Sequence, residues 1–252
     1  MEVLVFGGTS EGRALVEWLD MRGRTQVVAC TATVYGASLL PGSSRVSLIE
    51  GPLSPAQKAA LLEGHDFSCI VDATHPYALH ISDSITELGR TYGLDVVRIV
   101  RDEAGDQGGW TSVPSVDAAG SHLATSTGNI LLTTGSKDLA RFVGALGDVT
   151  RLYVRVLPVV DALERTTAAG VPASHVIAMQ GPFTRELNVA LIHALGIEHL
   201  VTKQSGAAGG FDEKANAAQA CGIELVVVER PRHERGLSRE AAQALLEERY
   251  GV

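Results

Sequence analysis

The feature that most constrains this chain is a rhythm that runs along its whole length. Short apolar runs alternate with amphipathic stretches of helical period, and turns rich in Gly, Thr and Ser follow many of the apolar runs. The apolar runs fall at 3–6, 26–30, 46–49, 69–72 and 95–99, and again at 130–133, 151–155, 175–178, 199–202 and 224–228. Helical periodicity occupies 11–22, 55–63 and 78–92, then 116–125, 137–146, 159–168, 183–195, 212–220 and 238–249. Uninterrupted apolar strands separated by helices predict parallel sheets covered on both faces. So many strands in 252 residues predict two sheets and two domains. The polar, Gly-rich stretch DEAGDQGGWTSVP at 102–114 is the predicted linker, and it puts the domains at 1–104 and 105–252. The expected class is α/β, with mainly parallel sheets and a ligand cleft between the domains. Negative charge is divided equally between the halves, so charge does not mark the boundary.

Composition narrows function by exclusion. With 45% hydrophobic and 20% charged residues the chain is neither disordered nor fibrous. A net charge of −8 argues against a nucleic-acid partner, which calls for a basic stripe. No apolar stretch reaches the ~18–20 residues of a membrane span, and MEVLVFGG is no secretion signal. A cytoplasmic protein with no membrane partner is expected. Cys30, Cys69 and Cys221 are widely separated and read as buried thiols in a reducing compartment. No HExxH, Cys/His cluster or acidic box appears, so no metal is expected.

Ligands of open parallel sheets lie beyond the carboxyl ends of the strands, so the residues that follow each strand are the candidates. After the first come Gly7, Gly8, Thr9, Ser10, Glu11, Gly12 and Arg13, running straight into a helix. Glycines let a backbone approach a pyrophosphate, and a helix N-terminus supplies N–H groups and partial positive charge. Gly7 and Gly12 have the GxGxxG spacing, with Thr9 at the middle position, where its hydroxyl is expected to donate to phosphate. An acid about 20 residues on would bind the ribose hydroxyls of NAD. The segment from Val27 to Thr33 holds none, and Arg13, with Thr31 and Arg45, is suited to a 2′-phosphate. NADPH is the expected cofactor.

No Tyr is followed four residues later by Lys, which excludes the usual short-chain dehydrogenase chemistry. After the fourth strand come Thr74, His75, Pro76 and Tyr77. Thr74 suits an N-cap, and Pro76 a first helical turn. His75 and Tyr77 are the candidate catalytic residues, expected to orient the ligands rather than deliver the proton outright, with His75 kept neutral by the helix N-terminus. In the second half the turns carry Gly135, Ser136 and Lys137, then Gln180, Gly181, Phe183 and Arg185, then Lys203, Ser205, Gly209 and Gly210. Residues 130–214 hold as many basic as acidic side chains in an otherwise acidic protein, which suggests a surface that receives an anion.

These residues carry a resemblance. VLVFGGTSEGR at 3–13, DATHPYA at 72–78, LLTTGSKDL at 131–139, YVRVLP at 153–158, QGPFTRELN at 180–188 and TKQSGAAGGFDEKANAA at 202–218 are similar to the precorrin-6A reductase family of cobalamin biosynthesis, in order and over most of the chain. The resemblance implies two Rossmann-like domains: an NADP-binding one, and a second that binds a tetrapyrrole, with Arg155 joining the substrate-binding set. It implies that one macrocycle double bond of precorrin-6A is reduced by hydride from NADPH and a proton from another source, giving precorrin-6B. Transient contacts with neighbouring pathway enzymes fit such a role. Three other readings stay open: a cobalt-precorrin-6A reductase, an NADP-binding sensor without turnover, and a tetrapyrrole methyltransferase.

Overall fold

The computed structural model describes residues 1–100, 109–204, 210–230 and 235–252. The first five strands, β1 (Glu2–Phe6), β2 (Gln26–Thr31), β3 (Val46–Glu50), β4 (Phe67–Asp72) and β5 (Val96–Arg98), form one parallel sheet in the order β3-β2-β1-β4-β5. Their helices are α1 (Ser10–Arg22), the short α2 (Val34–Ser38), α3 (Pro55–Glu63) and α4 (Leu79–Tyr92). Period-two alternation divides the core between the two faces. Val3 and Val5 of β1 pack with Leu15, Val16 and Leu19 of α1, whereas Leu4 and Phe6 pack on the other side with Leu62 of α3 and Ile85 of α4.

The second sheet is also parallel, in the order β6-β11-β10-β7-β8-β9. Its strands are β6 (Thr111–Val113), β7 (Asn129–Leu132), β8 (Leu152–Val156), β9 (Val176–Ala178), β10 (Ile197–Lys203) and β11 (Glu224–Val228). The helices α5 (Val116–Ala124) and α6 (Leu139–Leu146) cover one face through Leu123 and Phe142. On the other, α8 (Arg185–Ala194) and α9 (Phe211–Cys221) contribute Ile192, Phe211 and Ala217, while α7 (Val160–Ala168) connects β8 to β9. Near the start of β11, Glu224 accepts hydrogen bonds from Thr111 (2.8 Å), His122 (2.8 Å) and His199 (2.8 Å), tying together β6, α5 and β10.

The structure corrects the expected domain plan in two places. The stretch 102–114 is not wholly a linker, because Thr111–Val113 pairs with β11 as the edge of the second sheet. The compact units are Met1–Asp102 with His233–Val252, and Glu103–Arg232, rather than 1–104 and 105–252. The cause is α10 (Arg239–Tyr250), whose Ala242 and Leu246 are buried with Leu15 and Leu19 of α1. The return is pinned by Leu237, whose amide donates to Arg98 O and whose carbonyl accepts from Val100 N, each at 2.9 Å, and by Tyr250, whose hydroxyl donates to Asp95 Oδ2 at 2.7 Å. None of the described helices is long and apolar enough to cross a membrane.

Candidate functional site

In each sheet the strand order reverses at one pair of neighbours, and there a crevice opens for ligands. In the first sheet the pair is β1 and β4. Gly7 follows β1, and its amide is taken by Cys30 O at 2.8 Å. Gly8 has φ +141°, a region that favours glycine, and a Cβ built on it meets no atom within 4 Å. Gly12 lacks a side chain for a different reason: a Cβ there would stand 2.9 Å from Ala73 Cβ, so α1 lies directly against the end of β4. Open space above a glycine turn at the positive end of a helix suits a diphosphate, so the residues present fit the nucleotide expected there.

Thr9 does not play its expected part. Its hydroxyl donates to Ala73 O at 2.9 Å and accepts from Gly12 N at 3.1 Å, so it caps α1 and braces β1 against β4 instead of donating to phosphate. Ser10 Oγ donates to Glu11 Oε2 at 3.3 Å. Arg13 is exposed on α1 and pairs with Glu17 at 3.6 Å. Thr31 ends β2 and donates to Thr33 O at 3.2 Å, beside the cap of α2. Arg45 is excluded from the site. It precedes β3, at the amino edge of the sheet, and holds Asp20 at 3.0 Å.

Beyond β4, Thr74 is not the N-cap of α4, which is Ala78. Asp72 Oδ1 accepts from Thr74 N (3.0 Å), Thr74 Oγ1 (2.7 Å) and Arg98 (2.9 Å), which makes a buried, ion-paired floor under the next turn. On that turn the Tyr77 amide donates to His75 Nδ1 at 3.3 Å, and the two rings lie 5.5 Å apart. That bond needs an unprotonated Nδ1, so the imidazole proton lies on Nε2.

In the second sheet the reversal falls between β7 and β10. Lys203, at the end of β10, binds Asp138 beyond β7 at 2.8 Å, so its charge is compensated. Thr134 Oγ1, also beyond β7, is buried with no hydrogen-bond partner among the described residues. Gly135 has φ +83°, Ser136 is half-buried, and Lys137 is exposed two residues before α6. Arg185 is exposed, 3.9 Å from Glu186. Gly210 caps α9 in the left-handed conformation, whereas Ser205 and Gly209 lie outside the described residues.

The most distinctive environment surrounds Arg155. Near the end of β8 it is only 6% exposed, and burial lowers its pKa to about 10. Its guanidinium lies 3.9 Å from the centroid of the Phe183 ring and donates to Asn188 Oδ1 at 2.8 Å. The amide of Asn188 is itself fixed by donation to Thr184 O at 2.9 Å, and Phe183 packs so closely on Gly181 that a Cβ there would come within 3.0 Å of the ring. No carboxylate pairs with Arg155 among the described residues. Lys214, in the first turn of α9, is equally buried. Burial first, and then the charge of Arg155, bring its pKa down to about 7 against the opposing pull of Glu213. Lys214 and Thr134 lie within the segments that carry the resemblance, 202–218 and 131–139, but were not among the expected site residues. The thiols of Cys30 and Cys69 are pushed up to about 12, burial being the main cause, which leaves them unreactive, whereas Cys221 is only half-buried.

Comparison with known proteins gives a consistent set. The family model described as precorrin-6x reductase CbiJ/CobK matches residues 2–247. The cobalt-precorrin-6A reductase of Priestia megaterium is 33% identical over 238 residues, 93% of this chain and 92% of that protein. The precorrin-6A reductase of Rhodococcus erythropolis is 30% identical over 91% of this chain and 89% of its own. A solved structure of CobK precorrin-6A reductase superimposes with a TM-score of 0.79 at 24% identity, covering 98% of this chain and 96% of that one.

Proposed function

The chain belongs to the precorrin-6x reductase family, and from that premise we propose that it reduces precorrin-6A to precorrin-6B with NADPH as the electron donor. As a family member it is an oxidoreductase that reduces a double bond of a precorrin macrocycle in cobalamin biosynthesis. Membership sets aside the sensor and methyltransferase readings.

The observation that carries the cofactor assignment is the turn after β1, with open space above Gly8 and close packing at Gly12. Gly7 to Gly12 would receive the diphosphate of the cofactor, with Arg13 and Thr31 toward the 2′-phosphate and Thr74 beneath the crevice. NADPH, when bound, supplies the hydride. The chain's own task is placement, since orientation of two reactants is a large part of such a rate. His75, protonated on Nε2, would orient a ligand acceptor, and Tyr77 would pack beside it. Gly135, Ser136, Lys137, Arg155, Gln180, Gly181, Phe183, Arg185, Lys203, Ser205, Gly209 and Gly210 would receive the carboxylates and faces of the tetrapyrrole. Comparing kcat/KM for NADPH and NADH on precorrin-6A tests the cofactor assignment, and preference for NADH would overturn it.

The cobalt-containing substrate is the second reading, supported by cobalt-precorrin-6A reductases at 33% and 34% identity against 30% for a precorrin-6A reductase. Rates on the two substrates, side by side, distinguish them.

A further inference from the structure

Among the described residues of the second unit, every exposed large hydrophobic side chain falls within seven positions: Leu157 (46% exposed), Val159 (39%), Val160 (72%) and Leu163 (39%). The first three stand immediately beyond β8, at the carboxyl edge of the sheet and close behind Arg155 in sequence. Leu163 lies one turn along α7, on the face it shares with Val159 and Val160. The start of this patch is stiff. Pro158 fixes its own φ, and Val159 N donates to Leu157 O at 2.9 Å, closing a three-residue turn. Val159 is also the N-cap of α7 and makes no side-chain cap hydrogen bond, where Ser, Thr, Asp or Asn would favour the helix. An apolar side chain held in water, at a position that suits a polar one, calls for an apolar ligand.

The patch is small for a protein partner. A stable protein interface takes about 800 Å² from each side, and here the apolar ground ends within two turns of α7, where Asp161 and Arg165 pair at 3.0 Å and Glu164 is exposed. The opposite chemistry lies at its root. Arg155 is a buried guanidinium held by Asn188 at 2.8 Å and by the Phe183 ring at 3.9 Å, with no carboxylate paired to it among the described residues. It faces α8, whereas α7 packs beside α6, so the cation and the apolar patch flank the end of β8 from either side. A ligand that meets both is broad, apolar over its body and anionic at its fringe, as a precorrin macrocycle is. We propose that Leu157, Val159 and Val160 form an apolar ledge on which the macrocycle lies, with one of its carboxylate arms reaching toward Arg155. This rests on the tetrapyrrole reading above and names the residues that hold the ring rather than its charges.

The test is calorimetric titration of precorrin-6A into the full chain with NADP+ present, for wild type, Leu157→Ser, Val159→Ser and Val160→Ser, with thermal unfolding of each without ligand. Each substitution is expected to weaken precorrin-6A roughly 3- to 10-fold, the loss of one aliphatic contact, and to shrink the negative heat-capacity change of binding. NADP+ affinity is expected to stay unchanged. Val159→Ser carries the sharpest expectation, because the serine can cap α7. Its unfolding temperature should rise while its affinity for precorrin-6A falls, a pairing that a general loss of structure does not give. Normal precorrin-6A affinity in all three variants would overturn the ledge while leaving the reductase reading intact. So would a wild type that sediments as a dimer beside a monomeric variant carrying all three substitutions, since a second copy would then cover the patch. Failure of the wild type to bind precorrin-6A would instead overturn the reading on which the ledge rests.

Discussion

The hydroxyl of Thr9 donates to the carbonyl of Ala73 at 2.9 Å, across 64 positions of sequence, and so joins the two strands between which the first crevice opens. The same oxygen caps α1 through Gly12 N. Thr9→Val removes both bonds while keeping the shape of the side chain. It is expected to lower stability by about 1–2 kcal/mol, the size of a lost helix cap, and to weaken NADPH binding. Thr9→Ser should restore most of both, as read by urea unfolding and cofactor titration.

Gly12→Ala tests the close approach of α1 to β4. Its methyl would meet Ala73 Cβ at 2.9 Å, so the helix must shift. A loss of roughly 1–3 kcal/mol is expected from overpacking, with cofactor affinity falling because the helix end moves away from the turn. Unchanged stability and affinity would show that the contact has slack.

Arg13→Ala should weaken NADPH by about fivefold, the upper worth of an exposed ion pair, and leave NADH unaffected, because only NADPH carries the extra phosphate. Titrating both nucleotides against the variant separates a role in recognition from the surface pair with Glu17.

Much of this was legible in the sequence because it is local. The run ELVVV predicts β11, and Ser54, Pro55 and Gln57 announce α3 through a capping box. Three-residue β6 was not legible, because Thr-Ser-Val at a sheet edge has no period to detect. The periodicity of 238–249 predicts a helix without saying which core it covers, and α10 returned to the first. The bracing role of Thr9 was not legible because the partner of its hydroxyl is Ala73, just beyond β4 and 64 positions away. Lys214 did leave a trace. Phe211, Lys214, Ala217 and Ala218 form one buried stripe of α9, and a lysine inside an otherwise apolar helical stripe is the signal that marks it in the sequence.

Acid should destabilise the second unit through Glu224. Burial pushes its pKa up, but hydrogen bonds from His122, Thr111 and His199 outweigh this and hold it below the ordinary value. The folded chain therefore binds this proton less readily than the unfolded chain. The stability it contributes is complete above the unfolded-state pKa and is lost as pH falls through the folded-state value. Unfolding midpoints measured from neutral pH down through the carboxylate range should fall less steeply in Glu224→Gln than in wild type.

The proposed function turns on direct hydride transfer from NADPH to the precorrin ring. Precorrin-6A should be incubated with NADPH carrying deuterium at both C4 positions, in ordinary water, and the product weighed by mass spectrometry. The expected product is precorrin-6B that carries a single deuterium, its other new hydrogen coming from solvent or an exchangeable group. A product free of deuterium, or nicotinamide that stays reduced while the macrocycle is left unchanged, would contradict it.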